Sequence, residues 1–212
     1  MIRRELMSGW SLLDDPLFVA PYLIEAFTIA SRSSCSSCKV GAVVVNLRER
    51  KTIGKGWNQP IGGEEACRLA AGKVSGRRQR TLEPRGGMGV CPRRELGFPS
   101  GKGLEICPAI HAETAAILNG LRNGNLGEGK DIFLAVYGKT PCWDCCKLIL
   151  AVGIRRVVCL SWPEDGKEGI YYNPLSEVFE TMGLIEFHRH LEEQVWEAYR
   201  VNDLSETCLL SY

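Results

Sequence analysis

The stretch DIFLAVYGKTPCWDCCKLILAVGIRRVVCL, residues 131–160, contains two short apolar runs separated by a segment with helical spacing. The runs at 131–137 and 156–160 have the length and the β-branched or aromatic content of buried strands. Residues 143–152 between them predict a helix. Two strands joined by a crossover helix pair in parallel within one sheet. This stretch therefore predicts an α/β protein.

Segments on both sides extend the alternation of strands and helices. Further helices are predicted over 17–31, 111–121 and 175–182, and an amphipathic C-terminal helix is predicted over about 189–200. Pro21 is expected in the first-turn region of the helix over 17–31. Further strands are predicted at 40–45, 52–57 and 184–187. The first two of these strands form a predicted hairpin. We therefore predict a layered domain spanning residues 1–212, with parallel neighbours in the second half of its sheet.

One segment interrupts this regularity. Residues 62–103 are rich in glycine, proline and basic residues, and the wider insertion at about 62–108 includes Cys67, Cys91 and Cys107. A structureless loop of this length is uncommon inside a compact domain. We therefore expect a long loop that a bound metal ion holds in place.

The composition excludes several classes of protein. Hydrophobic residues make up 45% of the chain and charged residues 24%, with a net charge of +1, which is typical of a globular protein. A balanced charge disfavours a protein whose affinity depends on nucleic-acid phosphates. No apolar run approaches the roughly 18–20 residues of a membrane span. The N-terminal residues lack a secretory pattern, so we expect a cytoplasmic protein without nucleic-acid or membrane partners.

The ten cysteines indicate metal binding. In a reducing compartment, thiols at short spacing hold metal ions more often than they form disulfides. The chain has only three histidines, at positions 111, 188 and 190. Any metal site in this chain must therefore be rich in cysteine.

Two motifs supply the elements of a catalytic zinc site. IHAE at 110–113 and PCWDC at 141–145 each follow a loop and open a predicted helix. His111, Cys142 and Cys145 offer one imidazole and two thiolates, which leaves the fourth position of a tetrahedral zinc for water. A helix N-terminus favours thiolate over thiol.

Glu113 lies two residues after the predicted ligand His111 and can move a proton between water and a substrate. The chemistry that fits is hydrolytic attack on an amidine-like carbon with loss of ammonia. C-x-x-C alone is more often a zinc knuckle or a redox motif, so a zinc-stabilised binding module is the non-enzymatic alternative. The joint occurrence of the two motifs favours an enzyme, because a structural site needs no proton shuttle.

These motifs and several others resemble the cytidine and deoxycytidylate deaminase superfamily and, within it, the deoxycytidylate (dCMP) deaminases. The similar segments are RSSC (32–35), VGAV (40–43), GWN (56–58), LGFPSG (96–101), EIC (105–107), HAE (111–113), KTPC (139–142) and GIRRVV (153–158). The resemblance implies a three-layer α/β/α cytidine-deaminase-like fold with a central mixed five-stranded sheet.

The resemblance also implies an activity, the zinc-dependent conversion of dCMP to dUMP and ammonia, which feeds thymidylate synthesis. It assigns zinc to His111, Cys142 and Cys145, proton transfer to Glu113, and substrate contacts to Asn58 and Ala112. Alternatives are deamination of another nucleotide, nucleoside or base, or of tRNA adenosine. The riboflavin-pathway deaminases have a longer second motif than PCWDC, and the balanced charge disfavours RNA.

Some members of the family carry a second, structural zinc. The resemblance places Cys35 and Cys67 among its ligands, with Cys38 as the alternative to Cys35. Because the catalytic site takes the one histidine before position 188, we predict Cys91 and Cys107 as the other two ligands; the alternative is that these cysteines are free thiols in a loop. Cys146 and Cys159 are expected in the core. An aromatic that packs on the base could be Trp162.

Other properties of the family concern regulation and assembly. Many relatives have arginines where this chain has Ser37 and Cys38, which weakens a basic cluster for the substrate phosphate and leaves Lys39. The family loop usually continues Gly-Tyr-Asn-Gly, whereas Gln59 follows Asn58 here. In regulated members this loop belongs to a nucleotide effector site, so the departure weakens the expectation of dCTP or dTTP with Mg²⁺ as effectors. Family members commonly form hexamers, and we expect a homo-oligomer built through the helices that flank the zinc site.

Overall fold

The computed structural model describes residues 12–75, 91–98, 102–124, 126, 131–161 and 186–209, and its central sheet is buried on both faces. The strand Gly41–Asn46, β1, shows this directly. Ala42 and Val44 pack into one hydrophobic cluster, whereas Val43 and Val45 pack into another on the opposite face. Because successive side chains of a strand point to opposite faces, both faces must be covered by other elements.

Outside residues 59–110, the described elements follow one another along the chain as the sequence patterns suggested, with some shifted boundaries. The helices are α1 (Pro16–Ala30), α2 (Gly63–Ser75), α3 (Pro92–Glu95), α4 (Ala112–Arg122), α5 (Trp143–Ala151) and α6 (Glu192–Leu209). The remaining strands are β2 (Lys51–Trp57), β3 (Gln59–Pro60), β4 (Ala109–Ile110), β5 (Ile132–Tyr137), β6 (Arg156–Ser161) and β7 (Glu186–Leu191). Short 3₁₀ helices cover Leu12–Asp14 and Leu104–Ile106.

The main sheet has the strand order β2-β1-β5-β6-β7. Strand β1 is antiparallel to both β2 and β5, whereas β5, β6 and β7 are mutually parallel. The mixed five-stranded sheet with parallel neighbours in its second half is therefore confirmed.

Helices cover the two faces of this sheet and complete three layers. Helices α4 and α5 contribute Ala116, Ile117 and Ile149 to the cluster on one face. Helix α1 and the terminal helix α6 cover the other face, where Leu23 and Val195 are fully buried. This arrangement confirms the predicted α/β/α architecture.

Helix α1 begins one residue earlier than the sequence suggested. Asp15 is its N-cap, and the side chain accepts a hydrogen bond of 3.0 Å from the backbone N–H of Leu17. Pro16 occupies the first helical position, where a missing N–H costs nothing. Placing Pro21 in the first turn was wrong, because it lies inside the helix.

The expectation of a long loop over 62–103 was also wrong. Helix α2 occupies Gly63–Ser75, with Glu64 and Glu65 in its first turn, and α3 is a short helix that begins at Pro92. Acidic residues near a helix N-terminus and the alanines that follow favour helix formation. Residues 76–90, which contain the densest basic run, lie outside the described residues. That residues 1–212 form a single domain with an insertion at 62–108 stays a prediction.

The boundaries of the last strand and the last helix differ from the predicted ones. The predicted strand at 184–187 is β7 and extends to Leu191, so the terminal helix begins at Glu192 rather than at about 189. The aromatic stripe of this helix packs on its own domain: the rings of Trp196 and Phe27 are 5.6 Å apart. The predicted helix at 175–182 and Trp162 lie outside the described residues.

Two glycines of β2 allow helix α4 to lie directly on the strand. A Cβ atom at Gly54 would lie 2.3 Å from the carbonyl oxygen of Ala116, and one at Gly56 would lie 2.2 Å from the Ala116 nitrogen. Both atoms belong to the helix backbone, which cannot rotate away as a side chain could. The two glycines thus set the distance between β2 and α4.

Among the described residues, no helix combines the length and the apolar character that crossing a membrane requires.

Candidate metal centre

The predicted ligands lie at the first turns of two helices on the same face of the sheet. His111 is the N-cap residue of α4 and Cys142 is the N-cap residue of α5; both have an extended backbone. Cys145 follows in the first turn of α5 and is only 2% exposed. Because the sheet positions both helix starts, residues 31 positions apart in sequence become neighbours.

The three ligand atoms converge on one point. The Nδ1 atom of His111 lies 3.2 Å from the sulfur of Cys142 and 3.3 Å from the sulfur of Cys145. All three atoms lie within 4.8 Å of one another. Two ligands of one tetrahedral zinc are about 3.5–3.8 Å apart, given Zn–S and Zn–N bonds of about 2.3 and 2.0 Å. The spacing and the Cys₂His donor set therefore fit zinc.

The electrostatics of the site also favour a divalent cation. The hydrogen bond from Cys145 lowers the pKa of the Cys142 thiol to about 4, so the first thiolate forms readily. Hydrogen bonding to Cys142 and burial raise the pKa of Cys145, so a second thiolate needs a compensating positive charge. The hydrogen bond with Cys142 raises the pKa of His111 to about 9, which means that metal binding must displace a proton there.

Glu113 lies in the first turn of α4 beside these ligands. Its side chain is 3% exposed, and burial raises the pKa of its carboxyl group. The carboxyl group also contacts the Cys145 sulfur. A carboxyl group whose pKa is raised by burial holds a proton more readily than an exposed one and can pass it on. It is therefore suited to proton transfer at this site.

Asn58 has a structural role in addition to its predicted substrate contact. Its Oδ1 atom accepts a hydrogen bond of 2.7 Å from the Val40 N–H, and its Nδ2 atom donates one of 3.0 Å to the Cys38 carbonyl. The hydroxyl group of Ser33 donates to the Asn58 carbonyl. Asn58 thus ties the loop at 38–40 to the end of β2, and its contact with substrate stays a prediction.

Ala112 packs into the core instead of lining an open cleft. The residue is fully buried, and its carbonyl oxygen lies against Gly56 of β2. The structure thus gives Ala112 a role in seating α4 on the sheet. Its predicted contact with substrate stays a prediction.

The four upstream cysteines lie on four separate segments, near enough to influence the pKa of one another. Cys67 of α2 and Cys91, the N-cap of α3, are buried, and Cys35 and Cys107 are half-buried. Burial and the nearby Cys107, Cys35 and Cys91 raise the pKa of Cys67 to about 12. Burial, with Cys35 and Cys91 adding to it, also raises the pKa of Cys107. Among the described residues, however, only His111, Cys142 and Cys145 form a metal-binding group with all ligand atoms within 4.8 Å.

Cys38, the alternative to Cys35 as a ligand of the predicted second zinc, has its own set of polar neighbours. The two thiols are hydrogen-bonded to each other, which raises the pKa of Cys38. The Cys38 thiol also contacts Lys139, and the Asn58 amide lies 3.9 Å from its sulfur. Cys35 as a ligand of a second zinc, and Cys38 as its alternative, both stay predictions.

Sequence reasoning missed three polar residues around the site. The Oγ1 atom of Thr114 lies 3.7 Å from the Cys145 sulfur. Lys139 contacts Cys38, and Arg94 donates from Nη2 to the Ser37 carbonyl over 2.7 Å. Thr114 could have been found, because it follows His111 by three positions and shares its side of the helix. Arg94 reaches Ser37 across 57 positions, which no local pattern reveals.

Comparison with known proteins identifies relatives. Residues 20–161 match the family model described as the cytidine and deoxycytidylate deaminase zinc-binding region. The chain is 33% identical over 138 residues to the deoxycytidylate deaminase of Mycobacterium phage D29, a match that covers 63% of this chain and 86% of the relative. It is 29% identical over 172 residues to the deoxycytidylate deaminase of Enterobacteria phage T4, covering 73% and 84%. ComE operon protein 2 of Bacillus subtilis is 27% identical over 179 residues, covering 82% and 72%.

A solved structure shares the fold. The dCMP deaminase from the cyanophage S-TIM5, in complex with dCMP and dUMP, superimposes with a TM-score of 0.51. The match covers 83% of this chain and 98% of that chain at 19% sequence identity. At this identity the likeness concerns the fold alone.

Proposed function

Because the chain belongs to the cytidine and deoxycytidylate deaminase family, we propose that it catalyses the zinc-dependent hydrolysis of dCMP to dUMP and ammonia. The observation that carries this proposal is the convergence of His111, Cys142 and Cys145 beside the buried Glu113. The phage relatives named deoxycytidylate deaminase support the choice of dCMP. Such an enzyme supplies dUMP for thymidylate synthesis.

In this proposal zinc binding and proton transfer are assigned to different residues. His111, Cys142 and Cys145 would hold zinc, which when bound supplies a Lewis acid that lowers the pKa of water to about 7. Glu113 takes a proton from the water that attacks C4 of cytosine and delivers it to ring N3. Glu113 then takes the remaining proton from the new C4 hydroxyl group and passes it to the departing amine, so that the C4 carbonyl forms. A C–O bond forms, the C–N bond breaks, and ammonia leaves.

Nucleotide specificity requires positive charge near the site, because dCMP differs from deoxycytidine by an anionic phosphate. Lys139 contacts the Cys38 thiol, and its charge reaches His111. The Arg94 guanidinium is anchored on Ser37 in the same loop. These two cations support a nucleotide as substrate, although arginines are absent at positions 37 and 38 of this chain.

Ammonia release from dCMP, CMP, deoxycytidine and guanine by the purified zinc protein tests the proposal. We expect dCMP to have the highest kcat/KM. Activity on guanine alone would favour a base deaminase, and a zinc-loaded protein inactive on every substrate would favour the binding module. The tRNA adenosine alternative is tested by adding a tRNA anticodon stem to the same panel.

The same assay tests nucleotide effectors. We propose dCTP and dTTP, each with Mg²⁺, as the candidates. An effector would change the dCMP concentration at half-maximal rate by several-fold. Unchanged kinetics with both nucleotides would show that the enzyme is not regulated by them.

We propose a second, structural zinc held by Cys35, Cys67, Cys91 and Cys107. The support is the influence of Cys35, Cys91 and Cys107 on the pKa of Cys67, together with the burial of Cys67 and Cys91. A zinc ion bound to thiolates would remove the cost of burying them. It would also join α2 and α3 to the loop after α1, and thus stabilise the insertion.

Metal analysis is expected to find two zinc ions per chain, and Cys67→Ser is expected to lose one of them. Serine is a poor zinc ligand, so the three remaining thiols would hold the ion weakly. The matched control is Cys38→Ser, which is expected to keep both ions because Cys38 faces Asn58 and Lys139. A fully active wild-type protein with one zinc ion would disprove the second site.

We propose a homo-oligomer, most consistent with a hexamer, assembled through the helices that flank the zinc site. Leu121 at the end of α4 is 46% exposed and Trp143 at the start of α5 is 39% exposed. Exposed aromatic and aliphatic side chains of this kind are typical of subunit interfaces. Light scattering is expected to give about six times the chain mass of 23.5 kDa. A mass of one chain at full activity would contradict this assembly.

We also propose a cytoplasmic location. A reducing compartment keeps ten cysteines available as thiolates for zinc.

A further inference from the structure

Helices α4 and α5 are joined at the metal centre by one additional contact. Thr114 Oγ1 lies 3.7 Å from the sulfur of Cys145, and the contact is partly buried. We propose that Thr114 is a positioning residue that donates a hydrogen bond to Cys145 and thereby tightens the binding of zinc. The inference rests on the proposed role of Cys145 as a zinc ligand.

The chemistry of a metal-binding thiolate fixes the direction of this hydrogen bond. A cysteine ligand has lost its proton, so its sulfur can only accept hydrogen bonds. The hydroxyl group of threonine can donate, and it has one proton to give. In the zinc-loaded protein Thr114 is therefore the donor and Cys145 the acceptor.

The two cysteine ligands differ in how they are supported. The sulfur of Cys142 is half-buried and accepts a hydrogen bond from the backbone N–H of Cys145. Cys145 is 2% exposed, so bulk water cannot take over a donor that is lost. Its sulfur contacts the co-ligands His111 and Cys142, and the Glu113 carboxylate donates nothing once ionised. Among the described residues, the Thr114 hydroxyl is thus the neutral side-chain donor that contacts the more buried thiolate.

The position of Thr114 makes the contact rigid. It lies in the first turn of α4, and β-branched side chains have few rotamers in a helix. The same helix carries His111 and Glu113. A hydrogen bond from Thr114 to Cys145 therefore fixes the position of α4 relative to α5. The zinc ligands on the two helices are thereby held at the distance that the metal ion requires. Hydrogen-bond partners behind metal ligands typically contribute 10- to 100-fold to metal affinity.

The test compares zinc dissociation constants measured by competition with a chromogenic chelator. Thr114→Val keeps the shape and removes the donor, and we expect it to bind catalytic zinc about 10- to 100-fold more weakly. Thr114→Ser keeps the donor and is expected to stay within about 3-fold of wild type. Thr28→Val is the matched control, because Thr28 lies in α1 and donates to the Ile24 carbonyl over 2.9 Å. It is expected to leave zinc affinity unchanged.

Cobalt substitution gives a readout that is independent of turnover. Loss of a hydrogen bond makes the thiolate a stronger electron donor, so the sulfur-to-cobalt charge-transfer band should move to longer wavelength in Thr114→Val only. Thermal unfolding of the zinc-free variants identifies any that fail to fold, and Thr114→Ala then replaces such a variant.

Two outcomes would overturn the inference. One is zinc affinity within about 2-fold of wild type in Thr114→Val. The other is an equal loss of affinity in Thr114→Val and Thr114→Ser, which would assign the effect to packing of the methyl group. Neither measurement depends on deamination, so inactivity of the wild-type protein on dCMP would refute the proposed function and leave the Thr114 result interpretable.

Discussion

Glu113→Gln is expected to lower kcat for dCMP deamination by at least about 10³-fold while zinc remains bound. General acid–base catalysis alone typically contributes about 10²–10⁴-fold, and the carboxylate must also orient the attacking water. Glutamine is nearly the same size, so it fits the buried position of Glu113. It can neither accept nor return a proton. Steady-state rates of ammonia release and zinc content per chain are the measurements.

Glu49→Gln provides the control for the Glu113 variant. Glu49 is exposed in the turn between β1 and β2, away from the metal centre. The same chemical change there should leave both kcat and zinc content unchanged. Near wild-type turnover in Glu113→Gln would remove Glu113 from the mechanism. Loss of zinc from that variant would instead assign Glu113 to the stability of the metal centre.

Gly56→Ala is expected to destabilise the protein by about 3 kcal/mol and to lower activity about 100-fold. The new Cβ would lie 2.2 Å from the Ala116 nitrogen and 2.5 Å from the Ala112 carbonyl oxygen. Helix α4 must therefore move away from β2, and it carries the N-cap His111 and Glu113 with it. A displacement of about 1 Å in catalytic groups can cost about 10²-fold in rate.

Lys55→Ala, one position earlier on the same strand, is the matched control for Gly56→Ala. Lys55 is exposed and pairs with Glu25 at the surface. Exposed ion pairs contribute about 0–1 kcal/mol, so this variant should retain nearly full stability and activity. Denaturant unfolding and kcat/KM measure both effects. If Gly56→Ala were as stable and active as Lys55→Ala, the close packing of α4 on β2 would not control the site.

The candidate catalytic residues could be predicted because their chemistry is local. His-x-Glu and Cys-x-x-Cys each lie within one helical turn, and a zinc site needs few residues of restricted type. Asn58 was assigned to the substrate on resemblance alone. The structure adds its hydrogen bonds to Cys38 and Val40, which join residues 18 to 20 positions apart.

Errors in the predicted elements have a common physical cause. Helix α2 was missed because its helix-forming residues adjoin a segment rich in glycine and arginine, and an average over both obscures them. The start of α6 was misplaced because β7 is held by pairing with β6, Val158 opposite His188 for example. Neither strand pairing nor packing between distant segments is encoded in local periodicity.

The sequence by itself determined the α/β class, the order along the chain of the main-sheet strands and the helices that pack on them, and the two motifs with metal-binding chemistry. These depend on residue type and on spacing over a few positions, which the chain carries directly. Only the tertiary structure decided which segments meet: the His111 imidazole with two thiolates, and Thr114 with Cys145. These contacts depend on how closely the helices pack on the sheet. For α4 this distance is set by Gly54 and Gly56, and it is a property of the packed fold.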